Sequence, residues 1–414
     1  MDSKKKAIVL GGTSPHIALI DRLKKRGYYV YLLDYLQNPP AKYYADEHII
    51  ESTLNQDAVL RVAKEVGADL VLSACVDQAN ITACYVMEQL GHKPPYSYEI
   101  ACRITNKGVM KEVMKANGIP TSDYVYIEGN ADCKSLQVQF PVMVKPADCN
   151  SASGVKKASN RDELKGYLAD ALNYSRNKRA VVEGYVSGTE VSAYCFVQDK
   201  KARTIMVSER MSIAEGEEQV LKCYATLAPA RLTKTAYERL TAAATKIAEC
   251  FDLDNTPLHV QAFINGDDIS IIEFAPRVGG GISYQTILDN TGFDILESTI
   301  DSFIGNKVAV EFKAPEHIST VNLIYGQPAI FDHVEGQDEL LADRTIQGIY
   351  YHKTKGMKLG VEKAASGRVG AYIIEADTME ELIAKTKKAN NTFEVYADDG
   401  TAIMRKELCI LRDL

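Results

Sequence analysis

In Ile271-Ile272-Glu273-Phe274-Ala275-Pro276-Arg277-Val278-Gly279-Gly280-Gly281, two apolar residues deliver a carboxylate, and an arginine follows four positions later, ahead of a glycine run. A strand period of two turns Glu273, Ala275 and Arg277 to one face. An acid and a base then share a strand end where glycines let a bulky anion approach closely. Such an arrangement suits a metal ion and a phosphate held together. Just upstream, His259 to Ile264 and Ile269 to Phe274 read as strands around Asn265-Gly266-Asp267-Asp268, a hairpin signal. Pairing around that turn makes Gln261 and Glu273 near neighbours. An amide and a carboxylate, completed by water and phosphate oxygens, suit Mg²⁺, which rarely sits in an all-protein cage. The competing reading is a polar pair facing solvent; the apolar residues before Glu273 and the glycines after Arg277 weigh against it. His259 reads as a packed or hydrogen-bonding residue, and no Cys or His at ligand spacing points to zinc.

Further upstream, Lys145 ends the apolar run Pro141-Val142-Met143-Val144 and precedes Pro146 and the loop from Asp148 to Gly154. A lysine at a strand end is a compact point charge suited to a phosphate oxygen. In the loop, Ser151, Ser153 and Gly154 offer hydroxyl and backbone donors that could close over phosphates. Taken alone, this is an exposed lysine before a surface loop. Glu183-Gly184-Tyr185-Val186-Ser187-Gly188-Thr189-Glu190 lies between two strands. Free main-chain groups there can read an adenine edge, and a carboxylate just beyond can accept both ribose hydroxyls. Taken alone, it is a glycine-containing turn with exposed acids. Near the start, Gly11-Gly12-Thr13-Ser14 with Asp34 lacks the dinucleotide glycine fingerprint, since Thr, Ser, Pro and His fill positions 13 to 16. It reads as a turn that packs helix on sheet, although the helix N-terminus could hold a carboxylate or phosphate.

The pattern predicts strands over 6–10, 29–33 and 69–73 alternating with helices, hence a parallel α/β unit. Helices are expected over 80–90 and 107–117, the second stopped by Gly118 and Pro120. Strands follow over 142–145, 180–182, 191–197 and 202–208, then a polar loop to about 219 and a long helix over 235–251. The tail carries strands near Val321 and over 370–374, and a helix over 379–388.

A chain of 414 residues suggests two or three domains, and 46% hydrophobic with 25% charged residues supplies ample core. A net charge of −7 gives no basic footprint for nucleic acid or anionic lipid. No apolar run spans a bilayer, and the opening Met-Asp-Ser-Lys-Lys-Lys lacks the character of a signal peptide. Nine scattered cysteines without a Cys-x-x-Cys fit reduced thiols. The expectation is a cytoplasmic enzyme.

In this order the motifs resemble the ATP-grasp superfamily of carboxylate–amine ligases, with a likeness over nearly the whole chain. The Glu-x-Ala-x-Arg form followed by glycines is similar to L-amino acid ligases, and the tail to the biotin carboxylase and carbamoyl phosphate synthetase branch. The resemblance implies an α/β (α+β grasp) fold: an N-terminal parallel α/β domain over 1–105, a two-part ATP-clamping domain over 106–312 with its lid near 120–190, and a small α+β domain over 313–414. Thr105-Asn106-Lys107-Gly108-Val109-Met110-Lys111 looks like the stretch carrying the first ATP lysine. By resemblance, Lys107 and Lys145 contact ATP phosphates, with Ser151, Ser153 and Gly154 in the phosphate loop. Glu183 and the Val186 backbone meet adenine, and Glu190 holds ribose. Gln261 and Glu273 ligate Mg²⁺, with Mn²⁺ as an option, and Arg277 faces the reacting phosphate; Lys145 and Arg277 are the catalytic candidates.

The chain departs from the family pattern in two places. Ala275 stands where many members have a metal-binding Asn, and Gln261 where an acid is commoner. The loop cation remains open among Arg203, Arg210 and Lys222, and Ser14, His16, Asp77 and Tyr284 are nominated for the substrate pockets. The implied reaction joins a small-molecule carboxylate to an amine through an acyl phosphate, releasing ADP and phosphate. The alternatives are a bicarbonate-phosphorylating or carbamoyl phosphate-forming enzyme, and an inactive ATP-binding sensor. No nucleic acid or membrane partner is implied, and the resemblance allows a homodimer.

Overall fold

Lys6–Leu10 forms the strand β1, and its last four residues are fully buried, as befits a strand covered on both faces. The computed structural model describes residues 4–129, 136–148, 154–215, 220–361 and 365–408. β2 (Tyr29–Asp34), β3 (Glu47–Ile50) and β4 (Leu70–Leu72) join β1 in a parallel sheet of order β3-β2-β1-β4. The helices α1 (Ser14–Lys25), α2 (Gln56–Val66) and α3 (Asp77–Gln89) alternate with these strands, so the expected α/β unit forms. At its Gly11-Gly12 turn, a Cβ on Gly11 would lie 2.8 Å from His16 Nε2 of α1, and one on Gly12 2.4 Å from Pro39 Cβ. β3 was not foreseen, because a four-residue edge strand carries no usable alternation. Next come α4 (Tyr98–Thr105) and α5 (Lys107–Ala116), the latter capped by the Asn106 side chain, which accepts from the Gly108 and Val109 N–H groups.

A second, antiparallel sheet has the order β5-β8-β6-β7, from β5 (Tyr124–Glu128), β6 (Val142–Pro146), β7 (Lys156–Ala158) and β8 (Arg179–Gly184). The helix α6 (Arg161–Tyr174) buries Leu164, Leu168 and Ala171 against it. This small layer has its own apolar cluster, separate from the larger ones.

The third sheet is the main floor of the molecule. It contains β9 (Thr189–Gln198), β10 (Lys201–Glu215), β11 (Val220–Ala228), β12 (Thr256–Asn265) and β13 (Asp268–Ala275). α7 (Lys234–Cys250) packs Leu240, Ala244 and Ile247 into the core beneath it. Two helices, α8 (Ser283–Thr291) and α9 (Ile295–Phe303), then lead to β14 (Ile318–Tyr325). The tail supplies β15 (Ala329–Glu335), β16 (Gly348–Tyr351), β17 (Lys358–Leu359), β18 (Arg368–Ala376) and β19 (Glu394–Ala397), with α10 (Gln337–Ala342) and α11 (Met379–Thr392). The floor runs β13-β12-β9-β10-β11-β14-β18-β16, so tail strands continue the same eight-stranded sheet.

One expectation needs correction here. The polar loop expected after Ser208 is instead the second half of β10, paired with β11 from Glu209↔Leu227 to Glu215↔Val220. Arg210 and Ser212 line a cavity while Met211 and Ile213 pack on the core, so the strand's open face is polar and hides its period.

Candidate active site

The hairpin holds as expected. β12 and β13 join through Gly266, which takes φ +61°, and the register sets Gln261 opposite Glu273. The face-sharing of Glu273 and Arg277 has a different origin from the one expected. β13 stops at Ala275, and the Arg277 N–H turns back onto the Ala275 carbonyl at 2.9 Å. A bend, rather than strand alternation, therefore brings Arg277 beside the site.

Lys107, Lys145, Glu183, Val186, Glu190, Gln261, Glu273 and Arg277 all line one cavity of about 800 Å³. Asp77, from the start of α3, lines it too, whereas Ser14, His16 and Tyr284 do not. His16 is fully buried, and its ring nitrogens meet Thr13 Oγ1 at 2.9 Å and Ser73 Oγ at 3.3 Å. Gly154, with φ +73°, abuts Pro146 and Tyr174, and Ser151 and Ser153 lie outside the described residues. Of the three loop cations, Arg210 reaches the cavity. Arg203 instead donates to the Val310 carbonyl and sits over the Phe312 ring. Lys222 is buried, 5.8 Å from the Tyr325 ring centre.

The charges interlock. Lys107 Nζ stands 3.3 Å from Glu273 Oε2. Glu183 is paired with Lys145 through one oxygen and with Lys111 at 2.7 Å through the other, and Ser122 Oγ donates to it at 3.0 Å. Glu190 meets Arg210 Nε at 3.2 Å and the Gln261 amide nitrogen at 3.3 Å, which leaves the Gln261 oxygen free to act as a ligand atom. Arg277 is clamped by Asp77, with Nη2 at 3.0 Å from Oδ2. Lys111 was missed as a site residue. It lies one helical turn after Lys107 on α5, so the two ammoniums share a face, and this i, i+4 spacing was the available signal.

Together five basic side chains and four carboxylates interlock at this end of the cavity. Burial brings the Lys111 ammonium down to about 7, against the attraction of Glu273. Burial, with Lys111 and Lys107 close by, pushes Lys145 well below the usual lysine range. Burial alone would push the Glu273 carboxyl up, but Lys107 and Lys145 hold it down at about 2, so it stands ready as an ionised oxygen ligand. Glu190 is raised by burial against the pull of Arg210. His259 is lowered to about 3 by burial and by Arg277; it stacks on Tyr194 at 5.4 Å as a neutral packed ring, as expected.

The donor set fits Mg²⁺. Glu273 and Gln261 offer hard oxygens side by side, and among the described residues no cluster of three His, Cys, Asp or Glu forms a closed metal cage. Among the described residues, six cysteines are free thiols.

Comparison with known proteins agrees with this geometry. Residues 138–286 match the family model described as the ATP-grasp domain. A phosphoribosylamine–glycine ligase of Methanocella arvoryzae is 22% identical over 434 aligned residues, covering 99% of this chain and 96% of that protein. The L-amino acid ligase structure from Bacillus licheniformis superposes with a TM-score of 0.77 at 16% identity, covering 96% of this chain and 100% of the other. The biotin carboxylase domain of Hydrogenobacter thermophilus 2-oxoglutarate carboxylase, solved with MgADP and bicarbonate, gives 0.78 at 15% identity, covering 99% and 94%. The structural likenesses carry the fold, and the family model carries the nucleotide-binding centre. Fold and site together are those of an ATP-grasp enzyme of the ligase type, and residues 138–286 carry the ATP-grasp domain itself. Among the described residues, no helix is long and apolar enough to cross a membrane.

Proposed function

We propose that the chain is an ATP-dependent carboxylate–amine ligase that forms an amide or peptide bond through an acyl phosphate. The observation that carries this reading is the cavity edge where Lys107, Gln261, Glu273 and Arg277 converge. A substrate carboxylate oxygen attacks the γ-phosphorus of ATP, the bond to the β,γ-bridging oxygen breaks, and ADP leaves. The amine nitrogen then attacks the acyl carbon, phosphate departs, and the nitrogen loses its proton. A carboxylate is a poor electrophile until phosphorylation supplies that leaving group.

The protein's part is positioning and charge stabilisation, where effective molarities reach roughly 10⁵ M or more. Lys107 and Lys145 hold phosphate oxygens, and Arg277 stabilises the negative charge that grows at the transferred group. Val186 and Glu183 border the adenine end, and Glu190 the ribose. Bound by Glu273 and Gln261, Mg²⁺ would neutralise phosphate oxygens and draw electron density from the phosphorus. Ala275 cannot coordinate, so one tightly held ion is expected. The working units of this reading are residues 1–105, 106–312 and 313–414.

A bicarbonate-phosphorylating activity is the second reading, motivated by the likeness to a biotin carboxylase domain. The cavity extends well beyond the phosphate end, as far as Arg368, which favours a larger organic substrate. The test is ADP and phosphate release with Mg-ATP against amino acids, singly and in pairs, with and without bicarbonate. Turnover that needs an acid–amine pair supports ligation. Turnover with bicarbonate alone assigns the second reading, and tight ATP binding without turnover on any pair counts against both.

A further inference from the structure

At the end of the cavity remote from Glu273 stands a guanidinium that the reaction above does not use. Arg368 opens β18 and lines the cavity. Its Nη2 donates to Tyr325 Oη at 3.1 Å, and its Cζ lies 5.7 Å from the centre of that ring. Among the described residues no carboxylate pairs with it, and its Nε is buried without a hydrogen-bond partner. Tyr325 Oη is engaged with the Cys223 carbonyl at 2.7 Å, Lys222 sits over the same ring, and burial keeps the neighbouring His352 neutral.

A half-buried guanidinium that pairs with no described carboxylate, and whose Nε lacks a hydrogen-bond partner, is placed to receive that partner from a ligand. Elsewhere in this cavity every arginine already has a carboxylate: Arg210 has Glu190 and Arg277 has Asp77. Arg368 alone among these three is left for an incoming anion. On β14, the strand next to β18, Val321 and Leu323 also line the cavity and make that wall apolar. One guanidinium, already partly committed to Tyr325 and set beside an apolar wall, matches a planar monoanion better than a phosphate dianion.

Distance narrows the ligand further. Gln261 on β12 and Arg368 on β18 are five strand positions apart in the floor sheet. At a spacing of about 4.8 Å this is roughly 24 Å along the backbone, shortened by sheet curvature and by the inward reach of both side chains. A free amino acid cannot touch both ends.

Resting on the ligase reading, we infer that Arg368 anchors a terminal carboxylate of an elongated substrate, of peptide size, whose reacting group lies at Glu273 and Arg277. Arg368 is on this account a specificity residue.

The test is calorimetric titration of the MgADP-loaded protein with L-alanyl-L-leucine and L-alanyl-L-alanyl-L-leucine, their C-terminal amides, and analogues ending in a phosphonate. In the wild type the free acids should bind about tenfold or more tighter than the amides, the scale of one charge-assisted contact. Arg368→Gln should reduce that ratio to within about twofold, and Arg368→Lys should leave it intermediate. Unchanged MgADP affinity reports a folded site in both variants. The proposal is overturned if no peptide binds, if acid and amide bind alike in the wild type, if the preference persists in Arg368→Gln, or if the phosphonates bind more tightly than the acids. Failure of the ligase reading looks different: the Arg368-dependent preference holds while no acid–amine pair releases ADP.

Discussion

Asp77 and Arg277 are separated by 200 positions in sequence, yet they form a two-point clamp at the phosphate end of the cavity. Burial works against the Arg277 charge, and Asp77 more than offsets it, so the guanidinium is held ionised and aimed before any ligand arrives. Asp77→Asn should therefore slow phosphoryl transfer more than tenfold while changing MgADP affinity little; a kcat and KM comparison on the assigned substrates checks this. Arg277→Ala should do the same, and near-wild-type turnover in it would remove Arg277 from the mechanism. Lys111 allows a measurement that needs no acid or amine substrate. With its ammonium brought down to about 7, it is mostly neutral at pH 8 in the free protein. Nucleotide phosphates beside Lys107 and Lys145 restore the field that favours its charge, so ATP binding at pH 8 should take up protons. Titration in two buffers of different ionisation enthalpy reads the uptake, and Lys111→Met should reduce it. Equal apparent enthalpies in both buffers would contradict this account.

At the scale of elements, the connection between β8 and β9 presents Val186 to the cavity just ahead of Glu190 on β9, and Gly188 within it has no room for a side chain. Its φ is +143°, and a Cβ there would lie 2.4 Å from the Ile264 carbonyl oxygen at the end of β12. Gly188→Ala should cost about 2 kcal/mol or more of stability, through backbone strain and the shift forced on β12. Chemical denaturation checks the first effect, and a several-fold loss of MgADP affinity would show that the connection positions the nucleotide. This element was legible in the sequence, as was the β12–β13 hairpin, because turn residues and flanking apolar runs are local signals. The second half of β10 was not, since the cavity makes its open face polar. Nor were β15, β16, β17 and β19, whose short pairings are made with strands distant in sequence. For the same reason the sequence disclosed Glu273 and Arg277 but neither the Asp77 clamp nor the ion pair of Lys111 with Glu183. Pairings of that kind depend on how whole layers are brought together.

For the whole molecule, three histidines set the response to acid. His16 sits under the glycine turn of the parallel sheet, whereas His259 on β12 and His352, whose backbone N–H bonds to the Val369 carbonyl of β18, both belong to the eight-stranded floor. Burial lowers His16 to about 4, and burial with nearby guanidinium charge lowers His259 and His352 to about 3. In the unfolded chain all three titrate near 6.5. Below that value the unfolded state binds protons that the folded state refuses, so stability falls as pH falls from about 6.5 through 4 to 3. The slope for each group is roughly 1.4 kcal/mol per pH unit once the unfolded form is charged. Glu273 acts in the same direction at lower pH: with its carboxyl held near 2, its contribution is complete above the ordinary glutamate value and is lost as pH drops through 2. Denaturant titrations at pH 7.5, 6 and 5 should thus show a steepening loss of stability, beginning well above the range of ordinary carboxylates. His352→Gln, which removes one such group away from the phosphate end, should flatten the profile between pH 6.5 and 4 by about one proton. If the midpoint stays constant down to pH 5 in the wild type, the three rings are not the neutral packed groups that this structure describes.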